Sequence, residues 1–369
     1  MKQTNKQVDF SLKPGGSCLL YGAGNTGRCT VSVLEKMGVA VTGIIDANKT
    51  GSYKSIPIFH LSDVPDALKA LPVIISIFNS GAACAISKIA RDLSDNGFKS
   101  IQSFESFFCK NHQYFPENRF WLCRPEFTIE HRHDFSQVEK ILCDDASKKL
   151  LNSQIEFRCT GSIDVEIPTS PPELQYFDPS VYKQKKFREF WDIGAFSGDT
   201  LENAAKAGIR FKRVLAIEPD MKNYDLLCSY ISAHGDEYED IMAIPSAIGI
   251  ENTILSFAED AATSSAVSLT GNTKVPSIAM DKAYPSGTPD FIKMDIEGSE
   301  LSALKGMRNI ILKSAPLLAI CVYHRPEDLF EIPLYLNDLL SGSDYHFCLR
   351  NYGQHLMETV FYAVPGTIG

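Results

Sequence analysis

The stretch FIKMDIEGSELSALKG, residues 291–306, combines two local patterns that predict the fold of the second half of the chain. Its apolar start is typical of a short buried strand, and the ELSALKG pattern is typical of a helix. Gly298 relieves the turn between them. The sequence therefore predicts a strand–helix unit that carries Asp295 and Glu297 at the strand's carboxyl end, with Glu300 at the helix N-terminus.

Three further apolar runs in this half predict strands that end at the same edge of a sheet. The run RVLAIEPD ends near Glu218, IMAIPSAIG ends at Ser246 and Ala247, and PLLAICVYH ends at His324. Ligands of open parallel sheets bind at the carboxyl ends of the strands. We therefore expect these side chains to share a ligand site. The last two runs, YHFCLRNY and METVFYAVP, are separated by a short turn and predict a hairpin.

A glycine-rich turn, FREFWDIGAFSGDT, lies between the first strand and the first helix of this half. Gly194 and Gly198 allow the main chain to approach a ligand closely. Asp192 and Asp199 would repel a diphosphate but accept hydrogen bonds from an ammonium group. Glu218, at the end of the next strand, suits the two hydroxyls of a ribose. These residues predict an amino-acid-bearing nucleoside as the ligand, although Asp199 also suits a helix N-cap.

Length and composition restrict the class of protein. The 369 residues are enough for about two domains, each with its own core. The net charge of −9 makes a nucleic-acid partner a poor expectation. No apolar stretch reaches the ~20 residues that a membrane-spanning helix needs, and the N-terminus lacks the apolar core of a secretory signal. We therefore expect a cytoplasmic enzyme without a membrane span. The sequence leaves open whether it forms a homodimer.

The chain divides into three predicted parts. Residues 1–108 alternate short apolar strands with helical patterns and predict a small parallel, Rossmann-like α/β domain. Residues 109–186 predict a connector that contains a helix at FSQVEKILCDDASKKLLNSQ and ends in the Pro-rich EIPTSPPELQYFDPS. Residues 187–369 alternate strands and helices again and predict the ligand-binding sheet described above.

The first domain has its own glycine motif, YGAGNTGR, which follows a strand and opens a helix. This GxGxxG spacing favours a nucleotide phosphate at a helix N-terminus. The domain is too small for a complete NAD-binding fold. An NAD-linked oxidoreductase is therefore the less favoured function. The motif resembles the N-terminal domain of sugar acyltransferases and related carbohydrate-pathway proteins, which implies a nucleotide-linked sugar. A scaffold or dimerisation domain without ligand remains the alternative. The candidate ligand residues are Gly22, Gly24, Asn25, Gly27 and Asp46.

The cysteines and histidines predict no metal centre. The ten cysteines include no CxxC pair, which is typical of reduced thiols that pack in cores. The HRHD stretch, residues 131–134, alternates two histidines in a polar segment, and such histidines are more often solvated than metal-bound. The sequence does not decide whether the activity depends on a metal.

Taken in order, the second half closely resembles the FkbM-type S-adenosylmethionine-dependent methyltransferases. The matching stretches are WDIGAFSGDT, AIEPD, FIKMDIEGSELSALKG, VYHRPEDLFEIPLYL, LRNY and ETVFYAVP. The resemblance implies a seven-stranded sheet with a final antiparallel strand, and methyl transfer to a hydroxyl of a sugar, polysaccharide precursor or other natural product. Phe196 departs from the general DxGxGxG loop. The residues that the resemblance assigns to the cofactor are Asp192, Gly194, Ala195, Phe196, Gly198, Glu218, Ser246, Ala247 and Asp295. Asp199 is a further cofactor candidate, as the acceptor for the ammonium group.

A sugar hydroxyl is a weak nucleophile and needs a general base. His324 is the first candidate because its ordinary pKa of about 6.5 permits proton removal near neutral pH. Asp295 and Glu297 are the alternatives, as base or as groups that orient the histidine. Two segments are candidate covers for the site: the small, polar run at residues 256–269 and the aromatic stretch at residues 175–178. A nucleotide-sugar-binding or carrier protein that acts through the first domain is the competing function.

Overall fold

A computed structural model describes residues 12–115, 120–258, 266–267 and 273–366. These residues form two compact units, each built from more than one piece of the chain. The first comprises the described residues up to Arg132, with Asn152–Pro168 and Gly353–Met357; the second comprises His133–Leu151, Thr169–Tyr352 and the residues from Glu358 onward. The boundaries predicted from the sequence stay a prediction. Every helix within the described residues is too short or too polar to span a bilayer.

The first unit contains a six-stranded sheet with the order β3-β4-β2-β1-β5-β6. All pairs are parallel except the β3–β4 hairpin at one edge. The strands are fully buried at the centre, as their β-branched sequences predict. The strands and helices of this part are β1 Ser17–Tyr21, α1 Asn25–Lys36, β2 Ala40–Ile45, β3 Gly51–Tyr53, β4 Ile56–Phe59, β5 Val73–Ile75, α2 Ile86–Asp95, β6 Ile101–Ser103 and α3 Phe104–Asn111.

The prediction of a parallel α/β unit is therefore confirmed, but two local details differ. The expected helix at DALKAL is only a 3₁₀ turn, Asp66–Leu68. Pro65 immediately before it and Pro72 shortly after leave too little chain for a longer helix. The β3–β4 hairpin was not predicted, because its strands are short and mostly exposed.

The connector forms three helices where the sequence predicted one: α4 Pro125–Glu130, α5 Arg132–Ile141 and α6 Asp145–Thr160. The predicted helix breaks between α5 and α6. There Cys143 donates its backbone N–H to the carbonyl of Phe347, and Leu142 forms a parallel bridge with the same residue. A strand-like contact at this point replaces helical hydrogen bonds, which periodicity alone does not reveal. The thiols of Cys143 and Cys348 lie 3.2 Å apart without a disulfide.

The second unit contains a seven-stranded sheet with the order β16-β17-β15-β14-β7-β8-β9. β17 is antiparallel to both of its neighbours, whereas the other pairs are parallel. The predicted seven strands and final hairpin are thus confirmed. The elements are β7 Lys186–Ile193, α7 Asp199–Lys206, β8 Arg210–Ile217, α8 Met221–His234, β9 Asp240–Ile244, α9 Met280–Ala283, β14 Phe291–Met294, α10 Glu300–Gly306, α11 Arg308–Ser314, β15 Leu317–Cys321, α12 Asp328–Leu339, β16 Tyr345–Asn351 and β17 Thr359–Pro365.

A smaller sheet with the order β10-β13-β11-β12 lies between β9 and α9 in the chain. Its strands are β10 Ala247–Ile248, β11 Thr253–Ala258, β12 Ala266–Val267 and β13 Thr273–Ile278. Most of the segment predicted to cover the site, residues 256–269, lies outside the described residues.

Aromatic side chains form the core beneath the central strands of the second unit. Phe190 of β7 stacks on Phe211 of β8, with ring centroids 4.2 Å apart. Phe291 of β14 contacts both of these rings, and Phe187 and Tyr182 extend the cluster. Each such ring buries about 150–250 Å². This packing fixes the positions of β7, β8 and β14, and therefore of the residues at their carboxyl ends.

Candidate active site

A cavity of about 360 Å³ lies at the carboxyl ends of β7, β8, β9 and β14. This is the edge of the sheet where the sequence placed a ligand. The volume lies within the range of small-molecule sites, about 300–1,000 Å³. The cavity is lined by Gln175, Tyr176, Ile193, Gly194, Phe196, Asp199, Thr200, Asn203, Ile217, Glu218, Pro219, Asn223, Ser246, Ala247, Ile248, Lys293, Asp295, Ile296, Glu297, Ser299, Tyr323 and Glu358.

The glycine turn after β7 requires two of its glycines. Gly194 has φ +80°, and a Cβ at this residue would lie 1.9 Å from the carbonyl oxygen of Asp295. Gly198 has φ +91°, and its Cβ would lie 2.8 Å from the ring of Tyr230. Both residues therefore combine a left-handed backbone with a close neighbour, which only glycine tolerates. Gly198 is also the N-cap of α7, and Asp199 is the first residue of the helix. The alternative prediction that Asp199 is the N-cap is therefore wrong.

Glu218 ties the glycine turn to the end of β8. One carboxylate oxygen accepts a hydrogen bond from the Phe196 N–H at 2.9 Å, and the other accepts one from the Asp220 N–H at 2.8 Å. The side chain is buried, and burial raises its pKa. A carboxylate offers about four acceptor positions, so two backbone donors leave capacity for further donors from the cavity.

Asp192 and Lys293 form a buried ion pair beneath the glycine turn. The Lys293 ammonium lies 3.1 Å from Asp192 Oδ1, donates to the Gly194 carbonyl and faces the ring of Tyr176. Burial raises the pKa of Asp192 to about 6. Burial alone would lower the pKa of Lys293, but the neighbouring carboxylates of Asp192 and Asp295 outweigh it and hold the pKa above its ordinary value. The pair therefore stabilises the turn from below.

His324 lies between two carboxylates. Its Nδ1 is 2.8 Å from Glu300 Oε1 and its Nε2 is 3.2 Å from Asp295 Oδ1. Burial alone would lower the pKa of His324, but Glu300 and Asp295 outweigh burial and hold it well above the ordinary value. The imidazole is therefore positively charged near neutral pH and has no site left for a further proton.

Asp295 and Glu297 have opposite protonation tendencies, although they are two residues apart. Burial alone would raise the pKa of Asp295, but His324, Lys293 and the Tyr176 hydroxyl, which donates at 2.8 Å, hold it below its ordinary range. Burial raises the pKa of Glu297 to about 7. Glu297 also has a left-handed backbone, φ +57°, which is uncommon for a residue with a side chain. Two carboxyl groups with separated pKa values are typical of acid–base sites.

The structure brings most of the predicted cofactor residues to the cavity and places a few behind it. Ser246 lies in the link between β9, which ends at Ile244, and β10, rather than in a single strand as predicted. Its hydroxyl lies 2.9 Å from both the Ala247 and the Pro276 carbonyl oxygens. Among the predicted residues, those that line the cavity are Gly194, Phe196, Asp199, Glu218, Ser246, Ala247, Asp295 and Glu297. Those outside the lining set are Asp192, Ala195, Gly198 and His324.

Other lining residues were missed by sequence reasoning. Asn203 follows Asp199 by one helical turn, and this i, i+4 spacing was a usable signal. Gln175 and Tyr176 were considered only as a cover, whereas Tyr176 is buried and hydrogen-bonded to Asp295. Tyr323 lies just after β15 and Glu358 just before β17, and their proximity depends on an antiparallel pairing that no local motif encodes.

The glycine motif of the first unit adopts the expected strand–turn–helix geometry. Gly22 has φ +113°, and a Cβ on Gly27 would lie 2.0 Å from the Gly22 carbonyl oxygen. Asp46 accepts hydrogen bonds from the backbone N–H groups of Ala23, Asn48 and Lys49. Asn25 begins α1, and Gly24 is its N-cap. Both oxygens of Asp46 therefore serve the turn itself, and a ligand at this motif stays a prediction.

Two described clusters have the composition of metal sites. The ligand atoms of Asp295, Glu300 and His324 lie within 4.8 Å of one another, as do those of Cys143, Asp144 and Cys348. In the first cluster the hydrogen bonds and ion pairs of His324 already account for the short distances. In the second, Asp144 pairs with Arg350 at 3.1 Å. Neither cluster requires an ion to explain its geometry.

The sheet order, the glycine turn after the first strand of the sheet and the carboxylate at the end of the next strand define a Rossmann-like methyltransferase fold. Residues 192–347 match the family model described as the methyltransferase FkbM domain. This match confirms the predicted FkbM-type resemblance over these residues.

One solved structure supports this fold over most of the chain. The methyltransferase FkbM from Methylobacillus flagellatus KT superposes with a TM-score of 0.73 at 22% identity, over 94% of this chain and 89% of that one. The precorrin-6y C5,15-methyltransferase from Geobacter metallireducens GS-15 reaches a TM-score of 0.34 at 13% identity, over 53% of this chain and 88% of that one. No curated protein matches the sequence.

Proposed function

We propose that this domain transfers the methyl group of S-adenosylmethionine to a hydroxyl oxygen of a sugar, a polysaccharide precursor or a related natural product. The observation that carries the proposal is that one cavity joins two different sets of residues. Glu218, Ser246 and the glycine turn lie at one part of its wall, and Asp295 and Glu297 lie at another. The first set suits a nucleoside, and the second suits proton removal.

The residues of the cavity fit S-adenosylmethionine in charge and in shape. Glu218 keeps acceptor capacity for the ribose hydroxyls, and Asp199 with Asn203 would receive the ammonium group. Ser246 and Ala247 would flank the adenine. A Cβ at Gly194 would clash with the Asp295 carbonyl oxygen, so glycine is needed to keep the turn close to the end of β14. When bound, the cofactor supplies a methyl group on a positively charged sulfur, which is a good leaving group.

The protein's own residues then have to orient the acceptor, exclude water and remove a proton. The geometry favours Glu297 over His324 as the base. Glu297 lines the cavity and has a pKa raised to about 7 by burial, so its carboxylate is available near neutral pH. His324 is held between Glu300 and Asp295, and its raised pKa keeps it protonated. We infer that His324 acts as a positioning residue that holds Asp295.

A titration followed by thermal unfolding tests the cofactor assignment. At a concentration of about 100 Kd, S-adenosylmethionine is expected to stabilise the protein by about 2.7 kcal/mol. Glu218→Gln is expected to weaken this binding about 10- to 100-fold, because an amide has one acceptor oxygen where the carboxylate has two. Glu239→Gln is the control, since Glu239 is exposed and pairs with the exposed Lys212. Unchanged affinity in Glu218→Gln would contradict the assignment.

The same titration separates the competing functions. A nucleotide-sugar carrier that acts through the first unit would be stabilised by a UDP-sugar and not by S-adenosylmethionine. An NAD-linked oxidoreductase would be stabilised by NAD. Stabilisation by either ligand without a response to S-adenosylmethionine would overturn the proposal.

A further inference from the structure

The part of the cavity around Asp295 and Glu297, where the acceptor would bind, is rich in carboxylates. This charge bears on which acceptor the site would take. Asp295, Glu297 and Glu358 line this part together with the neutral side chains of Gln175 and Tyr323. The field of Glu358 adds to that of Asp295 and Glu300 in raising the pKa of Glu297, after the larger effect of burial. The carboxylates therefore lie close enough to act on the same ligand.

The positively charged side chain in the lining, Lys293, is already paired within the protein. Lys293 is the single lysine or arginine among the described residues that line the cavity. Its ammonium is buried against Asp192, the Gly194 carbonyl and the ring of Tyr176. Arg325 follows His324 in the chain, but it pairs with Glu327 and is not among the lining residues. His324 lies behind the lining, pairs with Asp295 and Glu300, and has its Nε2 3.7 Å from Glu297 Oε2. The lysine and the histidine near the described lining are thus already paired with carboxylates of the protein.

Glu358 is held as an acceptor in this part of the cavity. Its Oε2 receives a hydrogen bond from Gln175 Nε2 at 2.8 Å and lies 3.4 Å from the Tyr323 hydroxyl, which also donates to it. Its backbone is left-handed, φ +59°. Tyr323 is itself buried, so these contacts fix the carboxylate in position. A fixed negative group at a cavity wall discriminates between ligands by charge more than it adds affinity.

We propose that Glu358 restricts the acceptor to neutral or positively charged polyols and rejects acceptors that carry a carboxylate or phosphate beside the reacting hydroxyl. An amino group or a pair of hydroxyls on the acceptor donates to the Glu358 carboxylate. A uronate or sugar phosphate at the same place meets like charge without a compensating cation. This inference rests on the proposed methyl transfer and specifies the substrate class of that site.

Nine probes, in three series whose members differ in the charge at C6, test the inference. They are the methyl glycosides of glucose, galactose and mannose, each with its uronate and its 6-amino-6-deoxy counterpart. The measurement is kcat/KM for transfer of labelled methyl from S-adenosylmethionine at constant ionic strength. In the wild-type protein, the neutral and amino members of a methylated series are expected to exceed the uronate by at least about 10-fold.

Glu358→Gln keeps the size of the side chain and its contact with Gln175 but removes the charge. The ratio of amino sugar to uronate is expected to fall by about 10-fold in this variant, and Glu239→Gln is expected to keep the wild-type ratio. The ratio is internal to each variant, so a general loss of activity or stability does not imitate the effect.

Three outcomes would overturn the inference or its basis. Wild-type protein that methylates a uronate as well as its neutral counterpart contradicts the charge restriction. An unchanged ratio in Glu358→Gln contradicts the role of that residue. Binding of S-adenosylmethionine without transfer to any of the nine probes contradicts a simple hexoside acceptor, and with it the substrate class on which the charge restriction rests.

Discussion

Glu297→Gln is expected to lower kcat for methyl transfer by about 10²- to 10⁴-fold, the usual contribution of a positioned general base. The amide has nearly the same shape as the carboxylate but accepts no proton. Because Glu218 and the glycine turn are untouched, the affinity for S-adenosylmethionine should remain unchanged. The measurement combines single-turnover methyl transfer with a binding titration. A kcat within a factor of two of wild type would contradict the role of Glu297.

The pH profile distinguishes Glu297 from His324 as the base. With Glu297 as base, the wild-type rate falls about tenfold per pH unit below about pH 7, because the carboxylate that accepts the proton is lost as the pH falls through that pKa. This dependence should disappear in Glu297→Gln. In His324→Asn it should persist but move to higher pH, since the His324 charge lowers the pKa of Glu297. Loss of the dependence in His324→Asn alone would identify His324 as the base.

Lys293→Met is expected to destabilise the second unit by about 3–5 kcal/mol. The substitution leaves Asp192 buried without its cation, and an unpaired buried charge is among the most destabilising changes in a protein. It also removes the hydrogen bond to the Gly194 carbonyl, so the glycine turn loses a support. The measurement is urea unfolding followed by the fluorescence of Trp191, which lies in β7, in a Trp121→Phe background.

The double variant Asp192→Asn/Lys293→Met tests whether the buried charge is the cause. It should be more stable than Lys293→Met alone, because a neutral amide costs less to bury than an unpaired carboxylate. Lys206→Met is the control for losing a lysine, since Lys206 pairs with Glu202 on an exposed helix face and such pairs contribute ~0.3–0.5 kcal/mol. A double variant no more stable than Lys293→Met would show that the ion pair is not the source of the loss.

The local order of strands, turns and helices was predictable because each depends on neighbours in sequence. Apolar runs predicted the strands that end near Glu218, Ser246 and Asp295, and glycine spacing predicted the turn at Gly194. Helices in the connector were less predictable. The break near Cys143 depends on a backbone hydrogen bond to Phe347, which is distant in sequence.

The roles of the charged residues were not predictable, because a protonation state depends on what surrounds a group in three dimensions. From the sequence, His324 was the natural base because of its ordinary pKa, and Asp192 was a candidate contact for the ligand. The structure encloses His324 between Glu300 and Asp295 and buries Asp192 against Lys293. Burial and paired charge thus favour other roles for both residues than the sequence predicted, and the catalytic assignment stays a prediction.

The sequence by itself determined the methyltransferase sheet, its final antiparallel strand and the edge of the sheet where the cavity lies. These features follow from periodicity, glycine positions and turn lengths, which act over a few residues. Only the tertiary structure decided which side chains face the cavity and which lie behind it. Tyr323 and Glu358, just after β15 and just before β17, meet there because the two strands pair across a long separation in sequence. Gln175 joins them from the segment before β7 through its hydrogen bond to Glu358.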